Sequence, residues 1–198
     1  MKVNKIFFVL FAVGFFFLPH EDNEGLIKRI AIGDVNLVFD KQLVGDVWYR
    51  EESDFLYIEL SLPDLKPYNK KEHGKNKVRV FFDKTHPNSP TLDDRMVNIG
   101  NAFGAVLNDN GPYEDLYYYS TKQKYDFDFF TSKYIDLPLF IDCDKVKDSY
   151  YPQCEFNYIY LSNQVVVGYF YPRLFLSDWK FIHLRIKSIV EKLISKEN

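Results

Sequence analysis

Only two cysteines, two methionines and two tryptophans occur in 198 residues, and glycine and proline stand at nine each. So little glycine and proline excludes a collagen-like repeat or a low-complexity linker. The four histidines, His20, His73, His86 and His183, never fall at i, i+3 or i+4 to one another, so a helical metal pair of the H-E-x-x-H kind is absent. There is no G-x-S-x-G elbow and no glycine-rich phosphate loop. Ser177-Asp178-Trp179-Lys180 spells S-x-x-K without its companion motifs. No segment recurs at a fixed period, which excludes solenoids and propellers. The formal charge of -3 lacks the basic excess of a nucleic-acid binder.

What is present is aromatic. Phenylalanine and tyrosine number 19 and 15, and aromatics make up 18% of the chain, a composition suited to pleated sheet. At the N-terminus, Lys2 and Lys5 precede an apolar run from Ile6 to Leu18. That run has the length of a secretory core and falls short of the ~20 residues of a spanning helix. Residues 1–20 read as a signal peptide or a short anchor through residues 3–18, with the basic end cytoplasmic. Residues 25–198 then form one exported, periplasmic domain whose membrane contact is limited to an uncleaved leader.

Within that domain, Val35 to Phe39 and Val44 to Tyr49 read as short strands. Asp54 to Leu62 is clearer, with Leu56, Ile58, Leu60 and Leu62 on one face and Tyr57, Glu59 and Ser61 on the other. Val78 to Phe82 alternates in the same way, so the two form a hairpin around the Pro63–Asn76 loop. Lys66, Lys70, Lys71 and Lys75 in that loop read as solvated surface, with contact to an anionic partner as the alternative. Leu116 to Tyr119 is an aromatic strand. Tyr125 to Phe129 alternates acid and ring, with its carboxylates on a solvated rim, and Pro138 marks Tyr134 to Ile141 as an edge strand or a bulge.

The C-terminal third is the most strongly patterned. With Ser162-Asn163 as a two-residue turn, Phe156 faces Tyr169, Tyr158 faces Val167 and Tyr160 faces Val165, and Pro172 stops the ladder. Ser177 reads as the N-cap of a helix, with a Leu176–Phe181 staple. Trp179, Ile182, Ile186, Ile189, Val190, Leu193 and Ile194 form its core-facing stripe, and His183 lies on its exposed side. In an exported chain, Cys143 and Cys154 suggest one structural disulfide. The fold class is therefore α+β: a mostly antiparallel sheet, a C-terminal amphipathic helix packed on one face, and one disulfide.

The run Pro172-Arg173-Leu174-Phe175-Leu176-Ser177-Asp178-Trp179-Lys180-Phe181-Ile182, after Cys154-Glu155-Phe156 and Val165-Val166-Val167-Gly168-Tyr169-Phe170, resembles small exported proteins of Gram-negative bacteria. Many of these look like immunity or accessory proteins encoded beside type VI secretion effectors. The resemblance covers about the last quarter of the chain and implies a protein partner, a toxin effector; the missing catalytic, phosphate-binding and metal-ligand motifs read as a non-enzymatic protein with no cofactor or metal. Tyr117, Tyr118, Tyr119, Asp126, Phe127, Asp128, Phe129, Tyr150 and Tyr151 are the candidate partner-binding residues, because aromatic anchors dominate such interfaces. Two readings stand beside it. One is an envelope structural or ligand-binding module with a pocket between sheet and helix. The other is a hydrolase or cation site built on Asp126, Asp128, Asp142 and Asp144.

Overall fold

The computed structural model describes residues 27–50, 55–84, 94, 104–108, 111–121, 127–134, 139–146, 150–162 and 164–194, with backbone alone for 27 and 157–160. The leader, Asp126, Pro138 and Asn163 lie outside the described residues. Leu56, Ile58 and Leu60 are fully buried, as are Val78 and Phe82. This is the alternation expected of half-buried strands, and it sets the register of β4 (Phe55–Ser61) on β5 (Lys77–Lys84), with Ile58 opposite Val80. β3 (Val47–Arg50) extends that hairpin at the edge. The remaining strands are β6 (Val106–Asn108), β7 (Leu116–Ser120), β8 (Phe127–Ser132), β9 (Phe140–Asp144), β10 (Gln153–Tyr160) and β11 (Val165–Pro172). They complete a nine-stranded antiparallel sheet of order β3-β4-β5-β11-β10-β9-β8-β7-β6.

A second layer covers one face. The hairpin of β1 (Ile27–Ile32) and β2 (Val35–Asp40) turns at Gly33, where φ is +54, a conformation glycine adopts without strain. Its Ile32, Leu37 and Phe39 are buried, and Phe39 meets Phe82 edge-on at 6.1 Å. Beside it lies the C-terminal helix α3 (Trp179–Leu193), tied to β2 by a bridge between Leu37 and Ile194. Single helical turns α1 (Lys41–Val44) and α2 (Lys70–His73) occupy two loops. Trp179, Ile182, Ile186, Ile189, Val190 and Leu193 are buried on the sheet, so the space between sheet and helix is filled with side chains.

Several local expectations change. Phe156 does face Tyr169, but the register slips by one between Phe156 and Ile159, so Ile159 faces Val167 and Tyr160 faces Val166. The extra residue is a bulge on β10. It lengthens the turn beyond Ser162-Asn163, and Leu161 N and Ser162 N both donate to Val165 O. The Ser162 hydroxyl holds this turn by accepting from the Gln164 and Val165 amides and donating to Asp34. β9 begins at Phe140 and lies between β8 and β10, an interior position rather than an edge.

The approach to α3 also differs. Ser177 is not an N-cap, because a 3-10 turn over Arg173–Asp178 enters the helix directly from β11. Arg173 sets that path: its amide donates to Pro152 O at 2.8 Å, and its Nη1 reaches Asp128 and Asp144 O at 2.6 Å each. Asp128 is thus ion-paired beneath the sheet rather than part of a solvated rim. Phe181 is 57% exposed while Leu176 is buried, so the staple does not form. His183 is buried rather than exposed. The helix therefore starts at Trp179, where that anchored turn ends.

The disulfide Cys143–Cys154 joins directly opposed residues of β9 and β10, and both cysteines are fully buried. It staples the middle of the sheet rather than only closing the loop between them. Replacing both cysteines by alanine is expected to cost about 2–3 kcal/mol through restored loop entropy. Urea unfolding with and without reductant measures this, and equal midpoints would contradict it.

Candidate functional site

The face of the nine-stranded sheet turned away from α3 carries the molecule's open aromatic surface. Because residues alternate, the same strands that send Leu56, Ile58 and Val80 inward send Phe55, Tyr57, Glu59, Lys77, Arg79 and Phe81 outward. Trp48 on β3 stacks on Tyr57 at 5.9 Å and is 56% exposed. Tyr57 neighbours Phe55 at 6.2 Å, Phe55 stacks with Phe81 at 6.4 Å, and Phe81 neighbours Phe170 at 6.2 Å. A continuous strip of rings therefore crosses β3, β4, β5 and β11. Gly168 lies under it: a Cβ there would stand 2.2 Å from the Phe81 ring, so only glycine lets that ring lie flat on β11.

At one end the strip opens into a cleft of about 460 Å³. Its floor is a charge cluster in which Oε1 of Glu59 accepts from Lys77 Nζ at 2.6 Å and from Arg79 Nη2 and Nε at 2.7 and 3.0 Å. Burial opposes ionisation of Glu59, but these hydrogen bonds and the two positive charges outweigh it and hold the carboxyl below its usual range. The Arg79 guanidinium lies 4.7 Å from the Tyr57 centroid and 5.2 Å from that of Phe170. That places a planar cation between two rings.

The walls come from the loop that joins β4 to β5. Leu65 adopts φ +54 and buries its side chain. A left-handed leucine costs about 1–2 kcal/mol, which burial of the side chain offsets. Ser61 N donates to Lys66 O, Leu62 N to Asn76 O and Tyr68 N to Glu59 O. The Tyr68 hydroxyl donates to Gly74 O, and Asn69 caps α2 by accepting from Lys71 N. The loop is therefore pinned over the end of the sheet, with Lys70 and Lys75 on the cleft wall. Opposite, the Tyr151 hydroxyl donates to Lys75 O at 2.9 Å, and Lys75 Nζ sits 4.9 Å over that ring. Burial, and then nearby Tyr68, raise the Tyr151 hydroxyl above its ordinary value, so it stays a donor.

The residues singled out from sequence scatter over three places. Tyr117, Phe127 and Tyr119 share the outer face, far along the sheet on β7 and β8. Tyr117 and Phe127 are exposed there, whereas Phe129 is only 5% exposed against Phe140. Tyr118 and Asp128 point to the opposite, core side. The Tyr118 hydroxyl donates to Asp128 at 3.2 Å, and burial first, then that carboxylate, raises its pKa. Tyr151 lines the cleft, and Tyr150, 96% exposed, stands at its rim with Lys75 Nζ 5.3 Å over its ring. Asp126 lies outside the described residues. Of the carboxylates considered for a hydrolase or cation site, Asp128 is ion-paired and Asp144 accepts from Gln153 N. Among the described residues no group of three potential metal ligands occurs.

Sequence reasoning passed over Trp48, Tyr57, Glu59, Arg79, Phe81 and Phe170. The signal was the ring content on the polar side of the two clearest strands. It becomes a site only when the register places Tyr57 opposite Phe81 and Phe81 opposite Gly168.

The architecture is that of a solved bacterial immunity protein. An immunity protein of the Stenotrophomonas maltophilia type IV secretion system superposes with a TM-score of 0.65 over 87% of this chain and 94% of its own, at 14% identity. No protein-family model matches the sequence, and no curated protein matches it. The two proteins share a fold. The neighbour belongs to a type IV system, so the likeness does not extend to type VI secretion in particular.

Proposed function

We propose that this protein is an exported, non-enzymatic immunity-type protein that neutralises a secreted toxin by binding it. The observation that carries the reading is the ring strip from Trp48 to Phe170, continuous with the charged cleft at Glu59 and Arg79. A stable complex needs about 800 Å² from each partner, with aromatic and arginine anchors at its centre, and this face supplies that chemistry on a rigid sheet. The fold shared with a solved immunity protein supports the reading. The disulfide suits an oxidising compartment such as the periplasm. The reading is independent of whether a type IV or type VI machine delivers the toxin. A ligand-binding module with its pocket between sheet and helix has less support, because Trp179, Ile182 and Ile186 fill that space.

The test begins with the flanking genes: any that encodes an exported toxin is co-expressed with this protein. The expected result is restored growth and a complex that co-elutes. Trp48→Ala with Tyr57→Ala should weaken that complex by about 30-fold or more while the fold persists, as loss of central aromatic anchors does. No rescue together with no complex would overturn the proposal.

A further inference from the structure

The cleft at the end of the ring strip has a charge that the rest of the molecule does not share. Four cationic side chains, Lys70, Lys75, Lys77 and Arg79, face one carboxylate, Glu59, in a chain whose formal charge is -3. Glu59 is already shared by Lys77 and Arg79 through a single oxygen. Among the described residues Lys70 and Lys75 have no carboxylate partner, and Lys75 instead rests over the Tyr150 and Tyr151 rings. Their backbone is fixed by the pinned loop, so a ligand need not order it, and preorganisation of that kind favours affinity.

We infer that this cleft receives an acidic segment of a protein partner. Its carboxylates would lie between Lys70 and Lys75, and its neighbouring apolar residues on Tyr57, Phe81 and Trp48. The inference rests on the immunity reading only in taking that partner to be the toxin. One observation favours a peptide over a small anion: the rings beyond the cleft offer apolar contact that an isolated anion leaves unused. The cations also supply steering, since a focused positive cleft raises the rate of encounter with an acidic partner.

The experiment uses the full chain and a fluorescein-labelled 14-residue peptide of Asp, Glu, Gly and Phe as probe. The expected result is binding that weakens as salt is raised. Lys70→Glu with Lys75→Glu should weaken it by about 30-fold, as reversal of paired interface charges does, while Lys71→Glu on the same loop changes it little. Loss of the peptide to inorganic phosphate, at an ionic strength where chloride leaves it bound, would overturn the inference in favour of a small-anion site. Binding to phosphatidylglycerol vesicles that the double charge reversal abolishes would overturn it in favour of a membrane surface. A toxin complex indifferent to the charge reversal but broken by Trp48→Ala with Tyr57→Ala removes the acidic-segment inference and leaves the immunity reading. Peptide binding without toxin rescue does the reverse.

Discussion

Trp179→Ala is expected to lower stability by about 3–5 kcal/mol, the cost of emptying a large aromatic site in a core that relaxes only partly. Trp179 is 2% exposed and is the first residue of α3, with the Tyr134 ring 6.3 Å away. It joins the anchored 3-10 turn to the helix, so its loss loosens the whole second layer from the sheet. Trp179→Phe keeps most of the volume and should cost less than half as much. The other tryptophan serves as an internal control: Trp48 is 56% exposed, and Trp48→Ala is expected to change stability by under about 1 kcal/mol. Urea unfolding of the three variants measures the ranking. A Trp179→Ala protein as stable as Trp48→Ala would mean that the helix is not held where the structure places it.

The second expectation concerns acid. His183 is buried on α3, and its Nδ1 lies 2.7 Å from the Tyr169 hydroxyl of β11. Burial raises the Tyr169 hydroxyl well above its ordinary pKa, so it keeps its proton, and the pair shares one hydrogen bond whose direction follows the His183 tautomer. Burial, and after it the charge of Lys187, lower the His183 pKa from 6.5 to about 4. The folded state therefore refuses a proton that the unfolded chain accepts. The stabilisation is complete above pH 6.5 and is lost as pH falls from there to about 4, reaching about 3 kcal/mol.

His183→Gln retains a hydrogen-bond partner for Tyr169, whichever of the two donates, and cannot titrate. Between pH 6.5 and 5 its stability should fall less steeply than that of the wild type. The window ends there because lower pH begins to protonate carboxylates, including Glu59, whose lowered pKa makes its own contribution disappear only in stronger acid. Parallel urea midpoints for the two proteins over pH 6.5 to 5 would sink the argument.

The two expectations also show how differently the parts of this protein can be read. Trp179 belongs to a stripe of 3.6-residue period, and that stripe alone predicts its burial. His183 lies four residues after Trp179 and three before Ile186, at the margin of that stripe, and reads as solvent-facing only because it is polar. It is inside because the Tyr169 hydroxyl of β11 supplies the hydrogen-bond partner that a buried imidazole needs.

The candidate site divides along the same line. Alternation in Phe55–Ser61 and Lys77–Lys84 is local, so the buried faces of β4 and β5, and hence which residues face outward, are legible without a structure. The lysines of the joining loop are visible too, but a run of charge has the same composition whether it is solvated or lines a cleft. The chain by itself determined the α+β class, the two strongest hairpins, the core stripe of the terminal helix and the pairing of its only two cysteines, because each depends on short-range period or on simple counting. Only the tertiary structure decided the strand order, the bulge in β10, the burial of His183 and the assembly of Trp48, Tyr57, Arg79 and Phe170 into one surface. Those depend on pairings between residues far apart in sequence, whose register no local pattern encodes.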